Sequence, residues 1–206
     1  GEVVDGKQVF VDVNGAGTLV TNQDQALADN VDFAVLGKGT PDLEIGWTNQ
    51  ITYKNWDVNA FFRGAFGHSL VNTYRAFFEP RVGSQTGYNY VNTSLSNPAI
   101  TSAQFSSLYV EKADFFKLDN LSVGYNFNLS EATQKYVKSI KFSLTASNVF
   151  TITSYTGNDP DPALTDRGGA SNGDFANGND VLAPGIDRRN NYFTARRLSL
   201  GIVMKL

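Results

Sequence analysis

The sequence contains no cysteine among its 206 residues, which excludes a disulfide framework and any zinc or iron–sulfur site with cysteine ligands. It has no run of about 18 consecutive apolar residues, so no transmembrane helix is predicted. The formal net charge is −3, and the lack of a lysine- or arginine-rich run argues against nucleic acid as a partner. Residues 1–5 have neither the basic start nor the apolar core of a signal peptide. The chain does not begin with Met, so a processed or cleaved fragment is one interpretation.

Glycine and aromatic residues are abundant, with 19 Gly, 15 Phe and 9 Tyr, a composition typical of antiparallel β structure. The C-terminal segment shows the clearest pattern. Large apolar residues occupy every second position from Leu198 to Leu206, and the positions between them include Ser199, Gly201 and Lys205. Because successive side chains of a strand point to opposite faces, this pattern predicts a strand with one apolar face.

The same alternation recurs upstream and predicts four more strands. Lys54 and Asn55 form a short polar connection between the first two, which is typical of a β-hairpin. The apolar phase changes near Asp119 and Asn120, which indicates a β-bulge, and Ser130 is the predicted N-cap of a short helix. Residues 1–42 are predicted to be an extracellular loop segment. The five predicted strands cover residues 43–53, 56–67, 114–127, 139–150 and 191–206.

Three features favour a transmembrane barrel over a soluble β-sandwich, whose strands also alternate. The strands reach the roughly 9–11 residues needed to cross a bilayer at a tilt. Short and long connections alternate, as expected when short turns face the periplasm and the long loops at 68–113 and 151–190 face outwards. Aromatic residues lie near the predicted strand ends, where interface girdles belong. They are Trp47, Tyr53, Trp56, Phe66, Tyr125, Phe127, Tyr192 and Phe193.

The number of strands determines the predicted fold class. Five strands leave two open edges, which lipid does not tolerate, and single-chain bacterial barrels have about eight strands or more. The chain is therefore predicted to be all-β, an antiparallel transmembrane β-barrel segment that is incomplete on its own. It either belongs to a larger barrel or completes one with another polypeptide.

Several segments are similar to one family. Residues 109–127, YVEKADFFKLDNLSVGYNF, resemble the run Y-V-E-D-A-S-F-L-R-L-R-N-V-T-L-G-Y of SusC/RagA-type TonB-dependent outer-membrane transporters. Residues 146–160, ASNVFTITSYTGNDP, resemble their N-L-F-T-I-T-x-Y-x-G-x-D-P segment. Residues 12–17, DVNGAG, resemble their D-x-N-G-D-G loop, and residues 39–42 with the following hairpin fit their next strand pair. The resemblance covers nearly the whole chain, in order.

This resemblance implies the C-terminal portion of such a transporter, about the last five strands of a 22-stranded barrel. It implies an importer of glycans or peptides that works in complex with a SusD-like surface lipoprotein. Energy would come from TonB through an N-terminal part that lies outside this chain. The remainder of the barrel and plug and the outer-membrane lipid are the other expected partners, the expected location is the bacterial outer membrane, and no enzymatic activity is expected. A secreted soluble β-sandwich that binds glycans and a passive porin-like channel are the alternatives.

Two loops contain oxygen donors suited to calcium. Asp12 and Asn14 match the start of a calcium-binding loop, but Ala16 stands where another oxygen ligand is needed, which favours a plain turn. Asp159 and Asp161 begin a carboxylate-rich loop in which solvated side chains are favoured over a metal ion. No cofactor is therefore expected, with calcium as the alternative. The other carboxylates of that loop are Asp166, Asp174, Asp180 and Asp187.

Charged residues on the polar faces of the strands are expected to face the barrel lumen and contact water and the missing plug. His68 is the only histidine of the sequence, and no partner for catalysis stands near it, so a catalytic role is not expected. The pairs Arg188-Arg189 and Arg196-Arg197 could meet lipopolysaccharide phosphates or the acidic loop. The predicted lumen-facing residues are Glu44, Asp57, Arg63, Lys141 and Arg197.

Overall fold

A computed structural model describes residues 3–10, 34–81, 90–162, 184–188 and 193–205. The chain divides into two compact units. The first unit comprises Gly1–Thr40, His68–Ala113 and Tyr155–Tyr192, and the second comprises Pro41–Gly67, Asp114–Ser154 and Phe193–Leu206. Among the described residues, no helix is long and apolar enough to span a membrane.

The described residues form ten strands and three short helical elements. In chain order these are β1 (Val3–Val4), β2 (Lys7–Gln8), β3 (Leu43–Tyr53), β4 (Trp56–Phe66), β5 (Ser69–Asn72), α1 (Thr73–Phe78), a 3₁₀ turn (Ser107–Tyr109), β6 (Val110–Lys112), β7 (Phe115–Asn126), α2 (Glu131–Gln134), β8 (Ser139–Thr153), β9 (Ile186–Asp187) and β10 (Arg197–Lys205).

The second unit is built on a five-stranded sheet in the order β10-β8-β7-β4-β3. All four pairings are antiparallel, and spatial neighbours follow one another along the chain within this unit. Because apolar and polar residues alternate, each strand has one apolar face and one polar face. The register of the pairings aligns these faces, so the sheet has one apolar side and one polar side. The predicted fold class, an antiparallel barrel segment that does not close on itself, is confirmed.

The β3–β4 hairpin has the predicted two-residue connection, because Tyr53 pairs with Trp56. Lys54 takes the left-handed conformation, with φ of 53°, which reverses the chain over so short a turn. Asn55 fixes the turn to the next strand, since its Nδ2 donates to Asn126 O at 2.7 Å and to Asn128 Oδ1 at 2.8 Å. Side-chain amides at such turns replace the backbone partners that the chain reversal removes.

The bulge that the sequence predicts near Asp119 is confirmed. The register between β7 and β8 shifts between Leu118 and Asn120, and β4 is displaced against β7 at Phe61 and Phe62. The extra residue returns the apolar side chains on either side of the bulge to the same face, which explains the phase change in the sequence.

Two strand ends differ from the prediction. β8 continues to Thr153, beyond the predicted end at residue 150, because its last residues still pair with the start of β7. β10 begins at Arg197 rather than at residue 191, and residues 193–196 form no strand. The β10 ladder stops at Ser147, directly before Asn148, whose φ of 53° breaks the extended backbone of β8. Asn148 Nδ2 instead donates to Ala195 O at 3.0 Å.

The first unit contains regular structure within the segments predicted to be long loops. β5 pairs antiparallel with β6 and parallel with β9, and β1 and β2 form a hairpin. Leu70, Ala113 and Tyr155 form a small buried apolar cluster. The strands are two to four residues long, which is too short to give a period in the sequence.

Candidate functional site

One face of the five-stranded sheet is apolar and exposed. Leu198 and Leu200 on β10 are 76% and 73% exposed, and Trp47 on β3 is 54% exposed. The register places Leu200 beside Leu144 of β8, so the same face continues across the sheet. A continuous apolar surface of this kind marks contact with lipid or with another protein surface. Other large exposed side chains on this face are Leu43, Ile45, Ile51, Tyr53, Trp56, Phe142, Ile152, Ile202 and Met204.

Aromatic rings on this face form two groups. Phe62 stacks on Trp47 at 5.3 Å and on Phe116 at 5.6 Å between ring centroids. The second group lies at the end of the sheet with the β3–β4 turn, where Trp56 contacts Tyr125 at 4.7 Å. This second group has the position expected of an interface girdle.

The opposite face is polar and carries ion pairs. Lys141 Nζ lies 2.9 Å from Asp57 Oδ1, and Arg63 Nε donates to Asp119 Oδ2. The bulge presents Asp119 to this face, since Lys117 also lies within ion-pair distance of it, at 3.7 Å. The sheet therefore separates an apolar surface from a surface of partly exposed, paired charges.

The register brings all five predicted lumen-facing residues to this polar face. Glu44 and Arg197 lie on the two edge strands and are exposed. Asp57, Arg63 and Lys141 lie on the inner strands and are partly buried by their ion pairs. That this face lines a lumen stays a prediction.

Only two of the four predicted calcium ligands, Asp159 and Asp161, lie within the described residues. Asp12 and Asn14 lie outside the described residues. Asp159 Oδ1 accepts from Asp161 N at 3.0 Å, which makes a local turn of the loop. Within the described residues, no group of three or more His, Cys, Asp or Glu side chains could hold a metal ion.

Two loop residues are more buried than the sequence suggests. The expectation of solvated loop carboxylates is wrong for Asp187, which is 2% exposed and accepts from Tyr155 Oη at 2.7 Å. His68 is also buried, with Nε2 3.3 Å from Pro160 O. Asp166, Asp174 and Asp180 lie outside the described residues, as do Arg189 and Tyr192.

A buried ionic network in the first unit was not predicted. Arg75 is 2% exposed and forms a two-pronged contact with Glu79, at 2.7 and 3.1 Å, together with a bond from Nη1 to Glu111 Oε1 at 2.7 Å. Asn72 caps α1 by accepting from Arg75 N at 3.1 Å, and its Nδ2 donates to Glu111 at 3.2 Å. The guanidinium thus joins α1 to β6.

The network extends to the second long connection of the chain. Thr156 donates to Glu111 Oε2 from its backbone N at 2.9 Å and from its hydroxyl at 2.8 Å. Thr73 Oγ1 donates to Asp187 O at 2.7 Å, and Thr93 donates to Glu79 Oε1. We call Arg75, Glu79, Glu111 and their hydrogen-bond partners, together with the Thr73–Asp187 contact, the Arg75 network. It connects residues 72–79 with Thr93, with residues 108–111, with Thr156 and with Asp187.

The charges of the Arg75 network stabilise one another. Burial raises the pKa of Glu111, but hydrogen bonds from Arg75 and Thr156 outweigh this and hold the pKa below its ordinary value. Burial lowers the pKa of Arg75, and its bonds to Glu79 and Glu111 more than reverse that effect. Burial and the neighbouring Asp187 raise the pKa of Tyr155. All these groups therefore keep their charge states at neutral pH.

The antiparallel sheet of this chain has an exposed apolar face with aromatic groups, and it has paired charges on the opposite face. These features are those of the class of transmembrane β-barrel proteins. No protein-family model matches the chain. The TonB-dependent receptor P3 of Formosa agariphila is 28% identical over 163 residues, which cover 76% of this chain and 15% of that protein. The TonB-dependent receptor SusC of Bacteroides thetaiotaomicron is 26% identical over 166 residues, covering 75% and 15%.

Solved structures share the fold. The RagAB peptide importer in its closed-closed state matches with a TM-score of 0.59 at 21% identity, over 93% of this chain and 20% of that chain. A second structure, of the RagAB peptide transporter, matches with a TM-score of 0.55 at 24% identity, over 75% and 18%. The predicted resemblance to SusC/RagA-type TonB-dependent transporters is confirmed, and with it the outer membrane as the location. This chain spans about 15% of the length of the curated relatives named here.

Proposed function

We propose that the chain forms part of the wall of a TonB-dependent outer-membrane importer, which takes up glycans or peptides in complex with a SusD-like lipoprotein. The observation that carries this proposal is the exposed apolar face of the five-stranded sheet, from Leu198 on one edge strand to Trp47 on the other. Water would oppose the exposure of such a face, whereas lipid favours it.

The two edge strands support a larger barrel. β3 and β10 each pair on one side within the sheet, and open backbone groups are costly in lipid. Further strands would satisfy these edges and curve the sheet into a closed wall. The polar face, with its Asp57–Lys141 and Arg63–Asp119 pairs, would then meet water and a plug domain.

The proposed partners and substrates of the whole protein are inferred from the proteins that this chain is similar to. RagAB is named a peptide importer, which supports peptides as a substrate class, and glycans are proposed because the sequence resembles SusC/RagA-type transporters. SusC is named a TonB-dependent receptor, which supports coupling to TonB. Coupling to TonB would need a plug and an N-terminal segment outside this chain. The proposal includes no catalytic role, because His68 is engaged at Pro160 O and is almost fully buried.

We also propose that the chain needs no cofactor. The alternative is a calcium ion held by Asp12 and Asn14 or by Asp159 and Asp161. Calorimetric titration of the purified protein with calcium chloride tests this, since a saturable heat that Asp159→Asn removes would contradict the proposal and favour the second site.

Uptake measurements test the importer. Deletion of the parent gene should abolish growth on one class of oligosaccharide or peptide, and restoration of the gene should rescue it. Loss of uptake in cells that lack TonB is expected, because an importer needs energy coupling. Uptake that persists there would indicate a passive channel instead. A detergent-free, soluble monomer of residues 1–206 would favour the β-sandwich.

A further inference from the structure

One end of the five-stranded sheet has a step where β10 begins and β8 continues past it. β8 has 15 residues and β10 has nine, and the ladder between them covers residues 139–147 of β8. Beyond this ladder, residues 150–152 pair with β7 on one side. On their other side, the part of the chain that the structure describes provides neither a ladder partner nor a backbone hydrogen bond. We call residues 150–152, with this unpaired side, the open edge.

Asn148 stands at the step. Its φ of 53° ends the ladder with β10, and its Nδ2 donates to Ala195 O at 3.0 Å. This side-chain bond holds the residues that lead into β10, and residues 193–196 form no strand. The step is therefore a defined feature of the backbone.

The open edge lacks the features by which proteins usually protect an exposed strand. Native edge strands are commonly blunted by a charged side chain or a proline. Residues 149–153 are Val-Phe-Thr-Ile-Thr, without charge or proline, and all are β-branched or aromatic residues that favour strands. Ile152 is 64% exposed. An unprotected edge of this composition is suited to accept a further strand.

The open edge lies beyond the part of the sheet that a bilayer would cover. A strand needs roughly 9–11 residues to cross at a tilt, and the nine residues of β10 supply about this length. β8 runs away from the end of the sheet with the β3–β4 turn, so the open edge lies at the opposite end. Unpaired backbone groups are costly in lipid, but water and a bound ligand can reach them here.

We infer that the open edge binds an extended peptide, whose main chain adds to β8 as a short further strand. Alternate residues of a strand point their N–H and C=O groups to the same side, and an extended main chain offers acceptors and donors at the matching spacing. Affinity then comes from main-chain hydrogen bonds and tolerates many peptide sequences. The inference rests on the proposed function and assigns peptides, one of its two substrate classes, to this edge.

Binding of a designed peptide to the full-length transporter in lipid nanodiscs tests the inference. The probe is a fluorescein-labelled octapeptide of alternating Thr and Val, and fluorescence anisotropy measures its affinity. Two N-methylated versions lack the N–H donors of either all Thr or all Val residues. Because alternate residues face opposite edges of a strand, one version should bind roughly tenfold more weakly, and the other should stay within about twofold of the parent peptide.

A matched pair of variants locates the site. Ile152→Lys places a charge beside the open edge, and Ile45→Lys places one in the same cross-strand row and face, on β3. Ile152→Lys should prefer a peptide with Glu in place of Val over one with Lys, by up to roughly fivefold. Ile45→Lys should discriminate no more than the unsubstituted protein does.

Two outcomes separate this inference from the proposed function. Equal weakening by both N-methylated versions, or no saturable binding, would overturn the inference, and the proposed function would stand if deletion of the parent gene still abolishes uptake. If the deletion strain takes up peptides and glycans as well as its parent does, the proposed function is wrong and the inference falls with it.

Discussion

Replacement of Leu200 by arginine places a charge on the apolar face of β10. Leu200 is 73% exposed and lies next to Gly201, the central residue of the nine-residue strand. If the apolar face contacts lipid, Leu200 is near the membrane midplane, where arginine costs about 2–4 kcal/mol. This corresponds to roughly a 30- to 900-fold shift of the folding equilibrium.

Ser199→Arg is the matched control, because Ser199 is the preceding residue and lies beside Thr145 on the polar face. Its cost should stay within about 1 kcal/mol, since water can solvate a lumen-facing charge. Leu200→Ala should fall between the two, because it removes apolar area without adding charge. Urea titration of the full-length protein in lipid vesicles measures all three, with heat-modifiable gel mobility as a readout of barrel assembly. Equal costs for Leu200→Arg and Ser199→Arg would refute the assignment of the two faces.

Three further perturbations address the loops and turns. Arg75→Gln leaves two buried glutamates without their cation and should destabilise the first unit by about 3–5 kcal/mol, seen as faster hydrogen exchange there, whereas Lys112→Gln should have no effect. The pKa of Glu111 is lower in the folded state than in the unfolded state. The stabilisation by Glu111 is therefore present above its unfolded-state pKa and is lost as the pH falls through its folded-state pKa. Pulse-labelled hydrogen exchange in the first unit should stay slow at pH 5–7 and accelerate only below roughly pH 4. If protection is lost already near neutral pH, a different group controls it. Gly67→Ala should cost about 1 kcal/mol or more, because Gly67 has φ of +84°, while Gly46→Ala meets only ordinary contacts and should be neutral in the same urea titration.

The five long strands could be predicted because their determinants are local. An alternating pattern over nine to fifteen residues specifies both the strand and its two faces, and the phase change at Asp119 marks the bulge in the same way. The start of β10 could not be predicted from its own residues. It depends on Asn148 in the neighbouring strand, whose left-handed backbone ends the ladder.

The sequence predicts which residues lie on the polar face, but it does not predict which of these residues form ion pairs. Asp57 and Lys141 stand 84 residues apart, and they meet only because β4 and β8 both pair with β7. Alternation shows which side of a strand a charge occupies, but it gives no register between strands that are distant in sequence. The bulge is a second reason that the pairs could not be predicted, because it brings Asp119 next to Arg63.

The Arg75 network shows the limit of sequence reasoning most clearly. One local signal existed, because Arg75 and Glu79 have the i,i+4 spacing of a helical ion pair. The helix that contains Arg75 has only six residues and Glu79 is its C-cap, so it is too short to show an apolar period. The other contacts join Asn72 to Glu111 and Thr73 to Asp187, over 39 and 114 residues. A charged side chain stays buried only where several partners form hydrogen bonds or ion pairs with it. The network therefore specifies one arrangement of these segments, although their composition predicts solvent-exposed loops. Long connections rich in Gly, Asn and Asp can therefore hold a defined structure when a few charged residues among them are buried together.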